Sequence, residues 1–178
     1  MIKVRYKMHK RILLIMSVLC LGFVTSSNIE IEYYTSNDTD IPILNFDALE
    51  PLLYAESEDI QIVNFWAMWC APCVKELPVF QEYQRNNPNV KVTLVSLDFP
   101  EDVETKLKPF LKKKGITSKV ILLDDPDSNS WIDKIDPNWS GAIPFTIIFN
   151  SKNRSFHERT FNNITDLKNE INTTINNK

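Results

Sequence analysis

Three cysteines occur in the 178 residues: Cys20, Cys70 and Cys73. The last two lie in the run Trp69-Cys70-Ala71-Pro72-Cys73, a spacing that lets two sulfurs meet at the start of a helix. There the unpaired N–H groups and the helix dipole favour an anion, so Cys70 is expected to be the more acidic thiol. Pro72 fits a first helical turn, where no N–H is required. The chemistry this supports is thiol-disulfide exchange: Cys70 attacks a partner's disulfide, and Cys73, expected deeper in the helix, resolves the mixed disulfide. A structural staple is the poorer explanation, because a bridge between residues three apart closes a very short loop and stabilises little. Zinc is disfavoured as well. A structural site needs four ligands, and the only histidines are His9 and His157.

The elements around the pair can be read from periodicity. Ile60-Gln61-Ile62-Val63-Asn64-Phe65-Trp66 is a buried-strand pattern leading into the cysteines. Val74, Leu77, Phe80 and Tyr83 then recur at helical spacing, with Pro78 expected to kink the helix and Asn86-Asn87-Pro88 to stop it. Upstream, Asn45 can cap a short helix that carries Phe46, Leu49, Leu52 and Leu53. Downstream come a strand over 90–97, a charged helix over 102–114 capped by Gly115, a strand over 120–123 and a short helix over 128–135. A strand over 145–149 turns back into 155–161, and an amphipathic helix over 165–175 follows. Such alternation predicts an α/β fold: a central, partly parallel sheet with helices on both faces and a terminal antiparallel hairpin. Trp131 and Trp139 are assigned to core packing. The lysines at 106, 108 and 112–114 fit a solvated face complementing the helix C-terminus better than a docking patch.

The composition, 43% hydrophobic and 24% charged, is that of one ordinary globular domain. The N-terminal stretch differs. Lys3, Arg5, Lys7, Lys10 and Arg11 precede an apolar run from Ile12 to Val24, with no acidic residue before Glu30, which is the layout of a secretory signal. The run is shorter than the roughly 20 residues of a membrane-spanning helix, so residues 1–26 are expected to be a cleaved signal, a retained anchor being the alternative. Cys20 raises a lipoprotein variant, against which the bulky Leu19 argues. Residues 27–44 are read as a linker or irregular N-terminal segment, within which 28–41 could form an irregular first strand, and 45–178 as the domain. Removal of 1–26 takes five of 20 basic residues and none of 23 acidic ones, moving the net charge from −3 to −8. A nucleic-acid partner is not expected.

The run Val63-Asn64-Phe65-Trp66-Ala67-Met68-Trp69-Cys70-Ala71-Pro72-Cys73, followed by Glu76-Leu77-Pro78, resembles the thioredoxin superfamily, and within it the TlpA, ResA and CcmG branch. The resemblance is strong in motif near the cysteines and topological elsewhere from residue 60 onward. It implies a thioredoxin-like fold, with the helix and strand over 102–123 as the extra insert of that branch. Ile143-Pro144 then matches the family's cis-proline loop, which faces the cysteines and pairs with a substrate strand; an ordinary strand-start proline is the plainer reading. Asn64 stands where thioredoxin has a buried aspartate, and Glu76 where the branch has a proposed proton relay. A solvated helix-surface carboxylate is the equal alternative for Glu76. Trp66 and Trp69 are expected to pack around the site, Trp69 within reach of substrate.

Together these imply an exported enzyme that reduces disulfides of exported proteins, apocytochrome c among the candidates, with electrons from a membrane thiol carrier and no cofactor. An oxidant or isomerase of the same fold is the runner-up. A non-catalytic module holding a partner or a metal ion is the third reading.

Overall fold

Strand β2, Ile60–Trp66, is the centre around which the chain is organised, its last five residues being buried on both faces of the sheet. The computed structural model describes residues 40–176. The segments read as a secretory signal, with Cys20, and the linker up to residue 39 lie outside the described residues.

The elements follow in the order β1 (Ile43–Leu44), α1 (Phe46–Leu53), β2, α2 (Ala71–Asn86), β3 (Val90–Ser96), α3 (Lys108–Lys114), β4 (Lys119–Leu123), α4 (Ser128–Ile135), β5 (Phe145–Phe149), β6 (Arg154–His157) and α5 (Ile164–Asn176). They build one six-stranded sheet in the order β1-β4-β3-β2-β5-β6. The pairs β1/β4, β4/β3 and β3/β2 are parallel, whereas β2/β5 and β5/β6 are antiparallel. This is the mixed sheet with a terminal hairpin that the sequence predicts.

Because side chains alternate along a strand, β2 serves two cores. Ile62 and Trp66 join Leu77, Phe80, Leu107, Leu167 and Ile171 under α2, α3 and α5. Val63 and Phe65 join Phe46, Leu49, Leu53, Trp131, Ile135 and Trp139 under α1 and α4. Trp131 and Trp139 are thus core residues. Asn45 caps α1 by accepting from the Ala48 N–H at 3.1 Å. Gly115 closes α3 in the left-handed region at φ 64°, where its N–H reaches the carbonyls of the last turn.

Three elements differ from the sequence reading. Ile43–Leu44, inside the stretch read as a linker or irregular N-terminal segment, pairs with Leu122 and Leu123; two residues are too few for a periodic signal. The helix expected over 102–114 begins as a 3-10 turn at Pro100–Asp102 and a π turn at Val103–Leu107 before α3 starts. Pro109 supplies the reason. Its ring has no N–H to give and crowds the carbonyl four residues back, so the turn before it widens. The last strand, expected over 155–161, stops at His157, because the backbone beyond it is committed elsewhere: the Phe161 N–H donates to Glu76.

Candidate active site

The site grows from the end of β2. Leu97 N–H donates to the Trp66 carbonyl at 2.8 Å, extending the β2/β3 ladder, and the chain then turns so that Cys70 N–H meets the Ala67 carbonyl at 3.1 Å. Cys70 becomes the N-cap of α2 with an extended backbone, its Sγ accepting the Cys73 N–H at 3.3 Å. Pro72 occupies the first turn. The two sulfurs are joined in a disulfide, with the Cα atoms 5.3 Å apart. Cys70 is 6% exposed and Cys73 fully buried, so a partner reaches the former and not the latter.

A second loop approaches from β5. The Ile143-Pro144 bond is cis, and the Ile143 carbonyl oxygen lies 3.7 Å from Cys70 Sγ. This loop is fixed by side chains the sequence offers no reason to single out. Trp139, read simply as core, donates its indole N–H to the Ala142 carbonyl at 2.8 Å and stacks on Phe145 at a centroid distance of 4.0 Å. Glu158 accepts the Ser140 N–H at 2.9 Å and also the Ser140 hydroxyl. Gly141 takes φ 85°, and a Cβ there would come within 3.1 Å of Ile132 Cδ1.

Glu76 settles between its two readings in favour of burial. It is 0% exposed; its Oε1 accepts from Asn64 Nδ2 at 2.9 Å and its Oε2 from the Phe161 N–H at 2.7 Å. Asn64 also donates to Thr146 Oγ1 at 3.0 Å. Burial pushes the Glu76 carboxyl up from 4.5 to about 7, against the pull of the Phe161 and Asn64 hydrogen bonds and the Arg159 charge. Glu76 follows Cys73 by three residues, which places both on one face of α2.

The aromatic pair divides. Trp66 is buried and packs on Phe110 at 5.8 Å. Trp69, expected to pack around the site, instead stands in solvent at 66% exposure, and Phe99 on the neighbouring loop at 62%. Directly before Phe99 lies Asp98, 5% exposed, a position that sequence periodicity passes over. Both its oxygens accept the Met68 N–H at 3.1 Å, and Oδ2 accepts the Ser96 hydroxyl at 2.8 Å. The only sequence signal is an acidic residue directly after an apolar strand end. Among the described residues no three His, Cys, Asp or Glu side chains converge as metal ligands would.

A parallel-plus-hairpin sheet, a CxxC pair capping the helix after its central strand and a cis-proline loop opposite define a thioredoxin-like protein. The chain belongs to the AhpC/TSA family, whose model matches residues 52–158. It is 36% identical over 77 residues to sporulation thiol-disulfide oxidoreductase A of Bacillus subtilis, covering 38% of this chain and 47% of that protein. With thiol-disulfide oxidoreductase ResA of Bacillus cereus it shares 35% over 60 residues, 34% of each chain. These matches span less than half the length of either relative. Among solved structures, a thioredoxin-related protein from Neisseria meningitidis serogroup B superposes with a TM-score of 0.55 at 24% identity, covering 68% of this chain and 88% of the other. A DsbF homologue from Corynebacterium diphtheriae gives 0.54 at 24%, with coverage of 69% and 75%. Both support the fold.

Proposed function

We propose that the protein is a thiol-disulfide oxidoreductase that reduces disulfides of exported proteins through Cys70 and Cys73. The observation that carries this reading is the seat of Cys70: an N-cap sulfur receiving the Cys73 N–H, bonded to a buried partner sulfur and faced by the Ile143 carbonyl. The names of its relatives, thiol-disulfide oxidoreductases from bacilli, support it.

In the reducing direction the Cys70 thiolate attacks one sulfur of the partner's disulfide. A Cys70–partner bond forms, the partner's S–S bond breaks, and the departing sulfur takes a proton. Cys73 gives up its proton, attacks Cys70 Sγ and closes the internal disulfide, releasing the second partner thiol. Two electrons pass to the partner, and its two sulfurs each take up a proton, matching the one that Cys73 gives up and the one that Cys70 lost to solvent in forming the thiolate. Glu76 is the group assigned to receive the Cys73 proton, since a carboxyl raised to about 7 can take and return protons near neutrality. Ile143 and Pro144 offer backbone to the partner's strand, and exposed Trp69 offers it an apolar contact. The basic and apolar N-terminal stretch supports export, and a membrane thiol carrier is the electron donor in this reading. Among the described residues no helix is long and apolar enough to cross a membrane.

Direction is decided by the reduction potential. A glutathione or dithiothreitol titration followed by tryptophan fluorescence should give a value nearer to about −270 mV than to about −120 mV, the figures for thioredoxin and for a strong exported oxidant. A value near the latter would convert the protein into an oxidase. Absence of exchange with insulin or glutathione would leave only a binding module. Export is checked by sequencing the N-terminus of protein recovered from the exporting cell, expected near Asn28; recovery of Met1 would mean a retained anchor.

A further inference from the structure

Asp98 is a buried carboxylate that makes no ion pair among the described residues, and its hydrogen bonds lead to the reactive cysteine. Its two oxygens hold the Met68 N–H at 3.1 Å. That N–H belongs to the Ala67–Met68 peptide, and the carbonyl of the same peptide accepts the Cys70 N–H at 3.1 Å. A carboxylate, one peptide group and the amide of Cys70 therefore form a single chain of hydrogen bonds. A peptide whose N–H is held by an anion is polarised, which strengthens the bond its oxygen accepts.

Ser96 holds the carboxylate from the other side: its hydroxyl donates to Oδ2 at 2.8 Å and its Oγ accepts the Asp98 N–H at 3.1 Å. The charged group facing Asp98 is Asp102, on the turn that follows, which is itself paired with Lys106 at 2.9 Å. Among the described residues no cation is paired with Asp98 to offset its charge.

We propose that Asp98 is a positioning residue for the exchange reaction: it fixes the Met68–Cys70 turn and, through its charge, opposes formation of the Cys70 thiolate, holding the pair toward the reducing end. Burial pushes the Asp98 carboxyl up, in keeping with a negative charge kept in a poorly solvated place. The sign follows from electrostatics. A fixed negative charge near a thiolate raises the thiol's affinity for its proton, and a less stable thiolate makes the dithiol a better electron donor to the partner's disulfide. The inference rests on the exchange activity assigned to Cys70.

The test compares the wild-type protein with Asp98→Asn and Asp98→Ala. Asparagine keeps an oxygen for the Met68 N–H and removes the charge, whereas alanine removes both. Asp98→Asn is expected to lower the midpoint of the pH–rate profile of Cys70 alkylation and to shift the glutathione equilibrium toward the dithiol by about threefold to tenfold. Asp98→Ala should also slow exchange, because the turn loses its tether. A purely structural role predicts the opposite sign for the midpoint, since a displaced turn would take Cys70 away from the helix terminus toward the value of a free cysteine. An unchanged midpoint and equilibrium in Asp98→Asn overturns the proposal. Should neither variant fold, coupling is read in the wild-type protein by isotope-edited carboxyl NMR. The Asp98 titration must move upward when the disulfide becomes a thiolate, by the reciprocity of linked sites, and a titration indifferent to redox state overturns the proposal. Wild-type exchange with glutathione is measured first: its absence removes the enzymatic reading, whereas its presence with an indifferent Asp98 removes only this inference.

Discussion

Under α1 and α4 the sheet meets Phe46, Phe65, Trp131, Trp139 and Phe145, which stack and tilt on one another at centroid distances of 4.0 to 6.5 Å. On the opposite face, Asn64, Glu76 and Thr146 are all 0% exposed and joined by hydrogen bonds. Adjacent residues of one strand therefore enter different environments: Phe65 a continuous aromatic layer, Asn64 a polar island. Asn64 Oδ1 has no partner in that island. A core built only for stability would exclude such groups, because burying them unsatisfied costs more than an apolar substitute. The aromatic face supplies rigidity, and the polar face holds a buried carboxyl raised to about 7, one helical turn beyond Cys73.

The sharpest way to test this division is to remove the chemistry and leave both cores intact. Cys70→Ser should abolish exchange, while Cys73→Ser should retain a nucleophile and accumulate mixed disulfides, detectable by mass spectrometry of the trapped species. Equal trapping by both variants would show that the two sulfurs are equivalent, despite their unequal burial.

Next in size is an assault on the aromatic face. Phe65→Ala or Trp131→Ala should lose about 3–5 kcal/mol in denaturant unfolding, while the glutathione equilibrium of whatever folds stays where it was. A redox equilibrium that moves with either truncation would break the comparison, since the faces would then be energetically coupled.

The polar island has its own signature in pH. The Glu76 carboxyl sits at 4.5 when unfolded and at about 7 when folded, so between these values the native state carries a proton that the unfolded chain does not. Stability therefore falls as pH rises through this window. The contribution is greatest below 4.5, and the accumulated loss above the folded value reaches about 3 kcal/mol. Glu76→Gln should flatten that slope in thermal or denaturant unfolding of the disulfide form and slow exchange near neutrality. A slope that survives the substitution would assign it to another group.

The smallest effect belongs to Asn45. Its replacement by alanine removes the α1 cap and should cost about 1 kcal/mol, with no change in exchange rate measured by insulin reduction.

What could be read in advance, and what could not, follows the range of the interactions involved. The cysteine pair, the caps at Asn45 and Gly115 and the strand Phe145–Phe149 are local patterns, and each appears as the sequence predicts. Glu76 is balanced between two readings in the sequence because its environment is made by Asn64, 12 positions away, and by the backbone of Phe161, 85 away. Asp98 escapes notice for the same reason: its partner Met68 is 30 residues upstream. The exposure of Trp69 depends on how a tight turn aims its side chain, which composition does not encode. The π turn before α3 is legible in principle, since Pro109 removes a donor at a fixed distance, yet amphipathic spacing alone favours a continuous helix.

The margins of the sheet bear on the company such a protein would keep. Ile43–Leu44 closes one side with two residues, and Arg154–His157 closes the other with four. Long unpaired strands invite further chains to zip on and grow into aggregates, and short ones discourage it. An enzyme that handles half-folded clients with unsatisfied backbone would be exposed to that hazard at every encounter. In the proposed function, an extended client would meet only short edge strands at either flank, a two-residue β1 against Leu122 and Leu123 and a four-residue β6.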